Sequence, residues 1–268
     1  MKKTLLLAGI LMTLVGCSAV TGKKAGHKIE TNVKPTSVAV LPANRGTLND
    51  LQGVNLFGKD VADKFAHNKK GIKVQNSKTT LSSLKEKEGI TVAGQLSGVD
   101  KAQLEKELSV DGLMYIQMES MKVSLEPKLV NFKPAGAIVK SINANVEIFN
   151  DGKLYAEKSI EEKEETVITL EQLNNLKNTV VLVNEIVSEI TKNPKASIGT
   201  MVAFGTLVAD LKKSNPDFAK DQLAVIYDAL PTEQLVSIFS DLFKKAGVIK
   251  GHPFEKLINK AAAQVQTI

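Results

Sequence analysis

The first part of the chain alternates short apolar runs with helical periodicity. Val38 to Leu41 is a continuous, largely β-branched run ended by Pro42, which is typical of a strand buried on both faces. Apolar residues then recur at helical spacing from Leu51 to Phe65, and residues 71–74 predict a second short strand. Strands and helices that alternate in this order predict an α/β fold.

A helix and three further strands are predicted in the middle of the chain. Asp100 is the expected N-cap of the helix, with Gln103 in the capping-box position, and a β-rich stretch follows directly. Between residues 141 and 149 apolar side chains alternate with polar ones, which predicts one buried face and one wet face. Asp151-Gly152 predicts a hairpin turn, because glycine accepts positive φ. The stretch 126–137, which holds two prolines, is predicted to lie between strands.

Helical segments follow from about residue 166. The acidic run 161–165 is predicted to be a solvated boundary, and proline and glycine separate the segments that come after it. The segment 198–209 carries no charge, which leaves two interpretations open. One is a membrane- or partner-inserting helix with a small-residue face. The other, favoured by its length, is the buried central helix of a bundle.

These elements predict an α/β fold class with two parts. The first is a small mixed α/β sandwich domain with an antiparallel hairpin, over residues 36–165. The second is a helical domain over residues 166–268. A hydrophobic content of 43% and a charged content of 24% are those of an ordinary folded chain.

The amino terminus has the pattern of an export signal. Two lysines precede the uncharged run 5–15, which is shorter than the ~20 residues that span a bilayer. The sequence LVGC, residues 14–17, resembles the lipobox of bacterial lipoproteins, in which the cysteine is acylated. This resemblance implies a signal peptide over residues 1–16, cut between Gly16 and Cys17, and a lipidated flexible tether over residues 17–35.

The predicted lipid on Cys17 implies a membrane location, because two or three acyl chains give stable anchoring. Ser18 follows the cysteine, whereas aspartate at that position is the known signal for retention in the inner membrane. In a cell with two membranes, Ser18 therefore predicts the outer membrane, with the folded part facing the periplasm.

Cysteine count and charge exclude several classes of function. Cys17 is the one cysteine of the chain, so once it is lipidated none remains for disulfides or zinc sites. The formal charge of +6 falls to about +4 after the two signal lysines leave. Basic residues are lysines except Arg45, and arginine is the usual residue for base and phosphate recognition, so no nucleic-acid partner is expected.

No motif predicts catalysis, a metal or a cofactor. His27, His67 and His252 are far apart in sequence and are predicted to be surface or capping residues. Ser82 to Lys85 matches a serine-x-x-lysine pattern, but no Lys-Thr-Gly completes that site. The carboxylates of residues 161–165 suit a cation or an acid–base pair, although such runs are more often solvated.

Arg45 is the candidate contact residue. It follows the first strand at the strand's carboxyl end, which is where α/β sheets place binding residues. The sequence therefore predicts Arg45 as a possible partner contact.

Three passages carry a resemblance to one lipoprotein superfamily. They are SVAVLPANRG at residues 37–46, KELSVDGLMYIQMES at 106–120 and NANVEIFNDGKLYAEKS at 143–159. They resemble the first strand, the helix–turn–strand and the closing hairpin of the superfamily that contains the curli-secretion lipoprotein, lipoprotein activators of penicillin-binding proteins and TolB amino-terminal-like domains. The resemblance covers about half of the mature chain and leaves the helical part without a counterpart.

The resemblance implies a non-enzymatic lipoprotein that binds envelope proteins or associates with itself. It is expected to act at the periplasmic face of the outer membrane, held by Cys17, with no cofactor. The alternative is a structural component of a secretion or export complex. A third possibility is a cell-wall enzyme whose site the sequence does not reveal.

Overall fold

The structure is a computed structural model that describes residues 29–69, 71–88, 100–193 and 198–268. The predicted signal, Gly16, Cys17, His27 and the first part of the tether lie outside the described residues. The chain has a mixed α/β fold in which a mostly antiparallel sheet is packed against helices.

Five strands form one sheet in the order β2-β1-β3-β4-β5. The strands are β1 (Ser37–Val40), β2 (Lys73–Gln75), β3 (Gly112–Val130), β4 (Lys133–Asn150) and β5 (Lys153–Thr169). β1 runs parallel to β2 and β3, whereas β3, β4 and β5 are antiparallel neighbours. The three long strands extend far beyond the short parallel pair.

Helices lie on both sides of this sheet. They are α1 (Leu51–Asn68), α2 (Ser77–Glu88), α3 (Lys101–Leu108), α4 (Leu170–Lys192), α5 (Ile198–Lys213), α6 (Pro216–Ala229), α7 (Glu233–Lys245) and α8 (Glu255–Ala263). A short 3₁₀ turn, Gln264–Thr267, ends the chain. Asp100 caps α3 as predicted, but Gln103 donates to Glu107 instead of completing a capping box. The reciprocal capping box is at the start of α4, between Thr169 and Gln172.

A β-bulge keeps one face of β3 apolar along its length. The register with β4 shifts between Met118 and Ser120, so Glu119 is an extra residue. Side chains alternate in a strand, and the extra residue therefore leaves Met118 and Met121 on the same buried face. Apolar residues of β4 face the same side, as the alternation between residues 141 and 149 predicted.

The C-terminal helix returns to the sheet. Buried residues of α8, among them Leu257 and Ile258, share one apolar cluster with α1, β3 and β4. A second cluster joins the end of α4 to α5, α6 and α7. The helical part of the chain thus contributes to the core of the sheet as well as forming a bundle of its own.

Three expectations are corrected by the structure. Residues 126–137 lie in β3 and β4, joined by a two-residue turn, because the two strands stay paired up to Val130 and Lys133. The acidic run 161–165 lies within β5, which continues to Thr169, past the predicted boundary. Helix α5 is only partly buried in the bundle, since Leu207 and Leu211 lie in its apolar cluster whereas Ile198 is 78% exposed.

Candidate functional site

The β3–β4 hairpin ends in a tight two-residue turn. Val130 pairs with Lys133, so Asn131 and Phe132 alone make the connection. Both have positive φ, 51° and 63°, which is the geometry of a type I′ turn. Such turns favour asparagine followed by glycine, because a side chain at positive φ is strained. Here the glycine position holds a phenylalanine.

The turn presents an apolar surface, which we call the hairpin tip and define as Leu129, Val130 and Phe132. Phe132 is 99% exposed, Leu129 is 75% exposed and Val130 is 39% exposed. Because the side chain of Phe132 is exposed, its packing within the chain does not compensate for the strain of the backbone. Outliers of this kind concentrate at functional positions, and grouped exposed apolar residues mark interaction sites.

The backbone beside the hairpin tip is poorly suited to pairing with another strand. Pro127 and Pro134 flank the tip and donate no backbone hydrogen bond. Lys128 forms an ion pair with Glu165 of β5, and Lys133 is exposed. Charged residues and prolines at a sheet edge discourage strand addition. A partner at this position would therefore be contacted by side chains.

The base of the hairpin is fixed against helix α4. A Cβ atom added to Gly136 would lie 3.0 Å from the Cβ of Leu173, so glycine allows the helix to approach the strand closely. Below this contact, Ile138 and Ile168 pack with Leu173 and its neighbours in one buried cluster. The hairpin tip therefore projects from a packed base.

A buried ion network lies further along β4, at Lys140. Lys140 faces the apolar side of β4, and its Nζ lies 2.5 Å from Asp221 of α6 and 3.1 Å from Glu164 of β5. The hydroxyl of Thr166 donates to Asp221 at 2.7 Å, and Lys256 of α8 lies 2.8 Å from Glu164. The network joins the sheet to two helices of the C-terminal part.

The charges of this network balance one another. Burial acts to raise the pKa of Glu164, but the ammonium groups of Lys256 and Lys140 outweigh burial and lower the pKa below its ordinary value. A cleft of about 470 Å³ adjoins the network and is also lined by Asn215 and Lys220. Because Lys140 and Asp221 are held by each other, the arrangement is suited to holding helices on the sheet.

The side chain of His252 is largely buried, at 8% exposure, rather than on the surface. Its Nε2 lies 2.8 Å from the Oδ2 of Asp50, and its Nδ1 accepts a hydrogen bond from the backbone N–H of Phe254. Asp50 itself caps α1 by accepting from the N–H of Gly53. His252 does not cap α8, whose N-cap is Phe254 without a side-chain cap, but the Asp50–His252 pair ties the starts of α1 and α8 together.

The other sequence candidates are dispersed. His67 lies in the last turn of α1, and the Ser82 hydroxyl donates to the carbonyl of Lys78 within α2. The carboxylates of residues 161–165 alternate between the two faces of β5, so they form no common site. Within the described ranges, no group of three or more histidine, cysteine and acidic residues is placed to hold a metal ion.

Arg45 is engaged within the chain. Its guanidinium forms an ion pair with Glu233, the first residue of α7, and both side chains are partly exposed. A hydrogen bond from the Asn49 side chain to the carbonyl of Leu230 joins the same two segments. Arg45 thus links the loop after β1 to the helical part, and its contact with a partner stays a prediction.

Sequence reasoning missed the two most informative residues. Phe132 falls in the stretch predicted to lie between strands, although Asn131, between two runs of strand-forming residues, is a turn signal. Lys140 interrupts the apolar positions 138 and 142, which marks a charge on a buried face.

The part of the chain that the structure describes holds no helix long and apolar enough to cross a bilayer.

Comparison with solved structures finds distant likenesses, two of which are given below. No protein-family model and no curated protein matches the chain. The structure is similar to lipoprotein GNA1162 from Neisseria meningitidis, with 20% identity, 57% of this chain and 99% of that chain covered, and a TM-score of 0.41. It is also similar to the hypothetical protein CT253 from Chlamydia trachomatis, with 13% identity, coverage of 52% and 75%, and a TM-score of 0.27. Both TM-scores lie below 0.5, so no family and no residue role is assigned from them.

Proposed function

We propose that the chain is an envelope lipoprotein, anchored through Cys17, that binds another envelope protein with its hairpin tip. In this proposal it acts at the periplasmic face of the outer membrane and carries out no chemistry of its own. The lipobox-like sequence at residues 14–17 supports the anchor, and the hairpin tip supports the contact.

The observation that carries the proposal is the conformation of Phe132. A fully exposed phenylalanine at a φ of 63° is unfavourable in the isolated chain, both as exposed apolar surface and as strained backbone. Burial of an aromatic side chain in a partner's pocket is the common way in which such a residue contributes to binding. The packed base at Gly136 and Leu173 keeps the aromatic ring in a defined position.

The non-catalytic part of the proposal rests on the buried charged groups. Lys140, Asp221 and Glu164 bind one another, and Asp50 contacts His252. Each of these groups joins a helix to the sheet or to another helix. Turnover of a peptidoglycan fragment by the purified chain would contradict this part.

The contact is tested by site-specific photo-crosslinking in intact cells. A photoreactive phenylalanine at position 132 of the full chain is expected to give a defined crosslinked species containing one envelope protein. The matched control is the same probe at Lys153, the exposed first residue of β5, which follows the turn at the opposite end of β4. Equal crosslinking from both positions, or none from position 132, would overturn the contact.

The anchor is tested separately. Cys17→Ser is expected to abolish lipid labelling and cleavage of the signal, because the thiol is the proposed acylation site. A variant that is still processed and labelled would refute the anchor without touching the crosslinking result. Fractionation of the two membranes tests the outer-membrane location in the same cells.

A further inference from the structure

Helices α4 and α5 pack side by side in opposite directions. Leu182 to Glu189 of α4 line one groove together with Gly199 to Ala203 of α5. Asn178 of α4 lines a second groove together with Asp210 and Lys213, at the far end of α5. The end of α4 therefore meets the start of α5, and the middle of α4 meets the end of α5.

The outer side of this pair is apolar and exposed. Ile198, Met201 and Val202 of α5 are 78%, 58% and 63% exposed, and Val181 of α4 is 57% exposed. On α5 these residues lie three to four positions apart, which places them on one helical face. Apolar side chains grouped on one helix face mark an interaction surface rather than a solvated one. We call this surface the α5 face, defined as Ile198, Met201, Val202, Gly205 and Ala209.

Gly205 lies at the centre of the α5 face. It is seven residues after Ile198 and seven residues before Lys212, which is about 10 Å in each direction along the helix. In the described part of the chain, apart from the adjacent residues and the backbone of the same helix, no atom lies within 4 Å of a Cβ added at Gly205. Packing within one chain thus gives no reason for a glycine in the middle of this helix, where glycine is unfavourable.

The two ends of the face differ in net charge, although Lys192 also lies in the last turn of α4 and Asp210 pairs with Lys213. Glu185 and Glu189 of α4 line the groove at the Ile198 end. Lys212 and Lys213 lie in the last turn of α5, at the other end. A second copy of the chain, turned by a two-fold rotation about Gly205, would place its lysines against the glutamates of the first copy and its glutamates against the lysines.

We infer that the α5 face is the contact between two copies of this chain, crossing antiparallel at Gly205. The glycine allows the two helices to approach closely, as small residues do at helix crossings. The apolar residues on either side of Gly205 are buried by their counterparts in the second copy. The two sets of charges fix the antiparallel direction, because a parallel arrangement brings like charges together. This inference is independent of the hairpin tip and of the lipid anchor.

The crossing is tested by disulfide trapping in the full chain. Gly205→Cys is expected to form a disulfide-linked dimer readily, since the two Cβ atoms lie beside the symmetry axis. Asp210→Cys, on the same helix and away from the axis, is the matched control. The unmodified chain, whose sole cysteine is Cys17, gives the background. Trapping at position 205 no faster than at position 210 would overturn the proposed crossing.

Reversing the charges at the two ends tests the direction of the contact. Two sets of substitutions are compared, so the result does not depend on the folding of a single variant. Lys212→Glu combined with Lys213→Glu is expected to slow trapping at position 205 by about tenfold, because four like charges then meet at each end. Adding Glu185→Lys and Glu189→Lys is expected to restore it. Failure of the second set to restore trapping would contradict the antiparallel pairing.

Gly205→Leu separates the dimer contact from the stability of the single chain. Leucine is a better helix former than glycine, and its Cβ meets no neighbour in one copy, so the thermal midpoint is expected to stay or to rise. The same change is expected to abolish self-association in sedimentation of the detergent-solubilised full chain. Unchanged association would refute the inference. Binding of the α5 face to lipid vesicles by a monomer, or crosslinking from it to a different protein, would also refute it.

Discussion

Lys140 of β4 and Asp221 of α6 form a buried ion pair, with 2.5 Å between Nζ and Oδ1, across 81 positions of sequence. Both side chains are almost fully buried, at 5% and 8% exposure. The pair lies where the sheet meets the helical part of the chain, and Glu164 and Thr166 of β5 complete it. Position and direction of α6 on the sheet are therefore set by charged groups as well as by apolar packing.

Removal of the Lys140 ammonium is expected to lower the stability of the fold strongly. Lys140→Met leaves the carboxylates of Asp221 and Glu164 buried close together without the cation between them. Breaking a buried pair in this way costs about 3–5 kcal/mol. Urea unfolding followed by circular dichroism gives the free energy of unfolding of the variant and of the wild-type chain.

Lys163→Met is the matched control for that change. Lys163 lies on β5 and also pairs with a carboxylate, Glu161, but both side chains are 62% exposed. Solvent screens an exposed pair, so this variant is expected to unfold nearly as the wild-type chain does. A similar loss for both variants would show that the buried network has no special role.

The sequence predicted those parts of the fold that depend on neighbouring residues. The alternation between residues 141 and 149, the turn at Asp151-Gly152 and the cap at Asp100 depend on side-chain periodicity or backbone freedom within a few residues. The wrong expectation for residues 126–137 came from treating two prolines as breaks. Prolines are tolerated in strands whose outer edge is open.

Ion pairs between residues far apart in the chain could not be predicted from the sequence. An ionised residue at position 140 implied a buried partner, but nothing near it in sequence identifies Asp221. The same holds for Arg45, whose position after β1 indicated a contact but not Glu233. The exposed face of α5 differs from the expectation, because an uncharged helix has the same pattern whether all of its faces or only one is buried.

Glu105 is expected to make the fold less stable as the pH rises from 4.5 to 6. Burial raises the pKa of Glu105 to about 6, although the N–H of Gly152 donates to its carboxylate. The folded chain therefore holds this proton more tightly than the unfolded chain, whose carboxyl has the ordinary value of 4.5. The stabilisation is complete below pH 4.5 and is lost above pH 6, a change of roughly 2 kcal/mol.

Glu105→Gln checks the assignment, since the amide oxygen still accepts from Gly152 and does not titrate. The variant is expected to be the more stable chain at pH 7 and to lack the change between pH 4.5 and 6. Unfolding free energies measured at closely spaced pH values compare the two chains. An identical pH profile for both would exclude Glu105 as the source.

Asp111 is expected to make the fold less stable as the pH falls towards 2. Its carboxylate accepts four hydrogen bonds, from the backbone and hydroxyl groups of Thr36 and Ser37 at the start of β1. Burial acts to raise its pKa, but these bonds outweigh burial and lower the pKa to about 2. The stabilisation is present above pH 3.8 and is lost as the pH falls through 2.

Asp111→Asn removes the charge that receives these bonds. Allowing for solvent screening of a partly exposed group, the loss at pH 7 is about 1–2 kcal/mol. Chemical unfolding at pH 7 and at pH 2.5 measures it, and the difference between the variant and the wild-type chain is expected to shrink at the lower pH. A difference that is the same at both values would mean that asparagine disturbs packing and not charge.

Phe132→Gly is expected to separate binding from stability at the hairpin tip. Glycine adopts the φ of 63° without strain, and this gain offsets the greater freedom of glycine in the unfolded chain. The free energy of unfolding is therefore expected to stay within about 1 kcal/mol of the wild-type value. Crosslinking of the same envelope protein from a probe at Leu129 is expected to fall sharply.

Val33→Ala, which shortens a side chain that is 67% exposed elsewhere on the surface, is the control and should leave that crosslinking unchanged. If Phe132→Gly instead unfolds the chain or keeps full crosslinking, the ring serves the fold or lies outside the contact, and the proposed role of the hairpin tip is wrong.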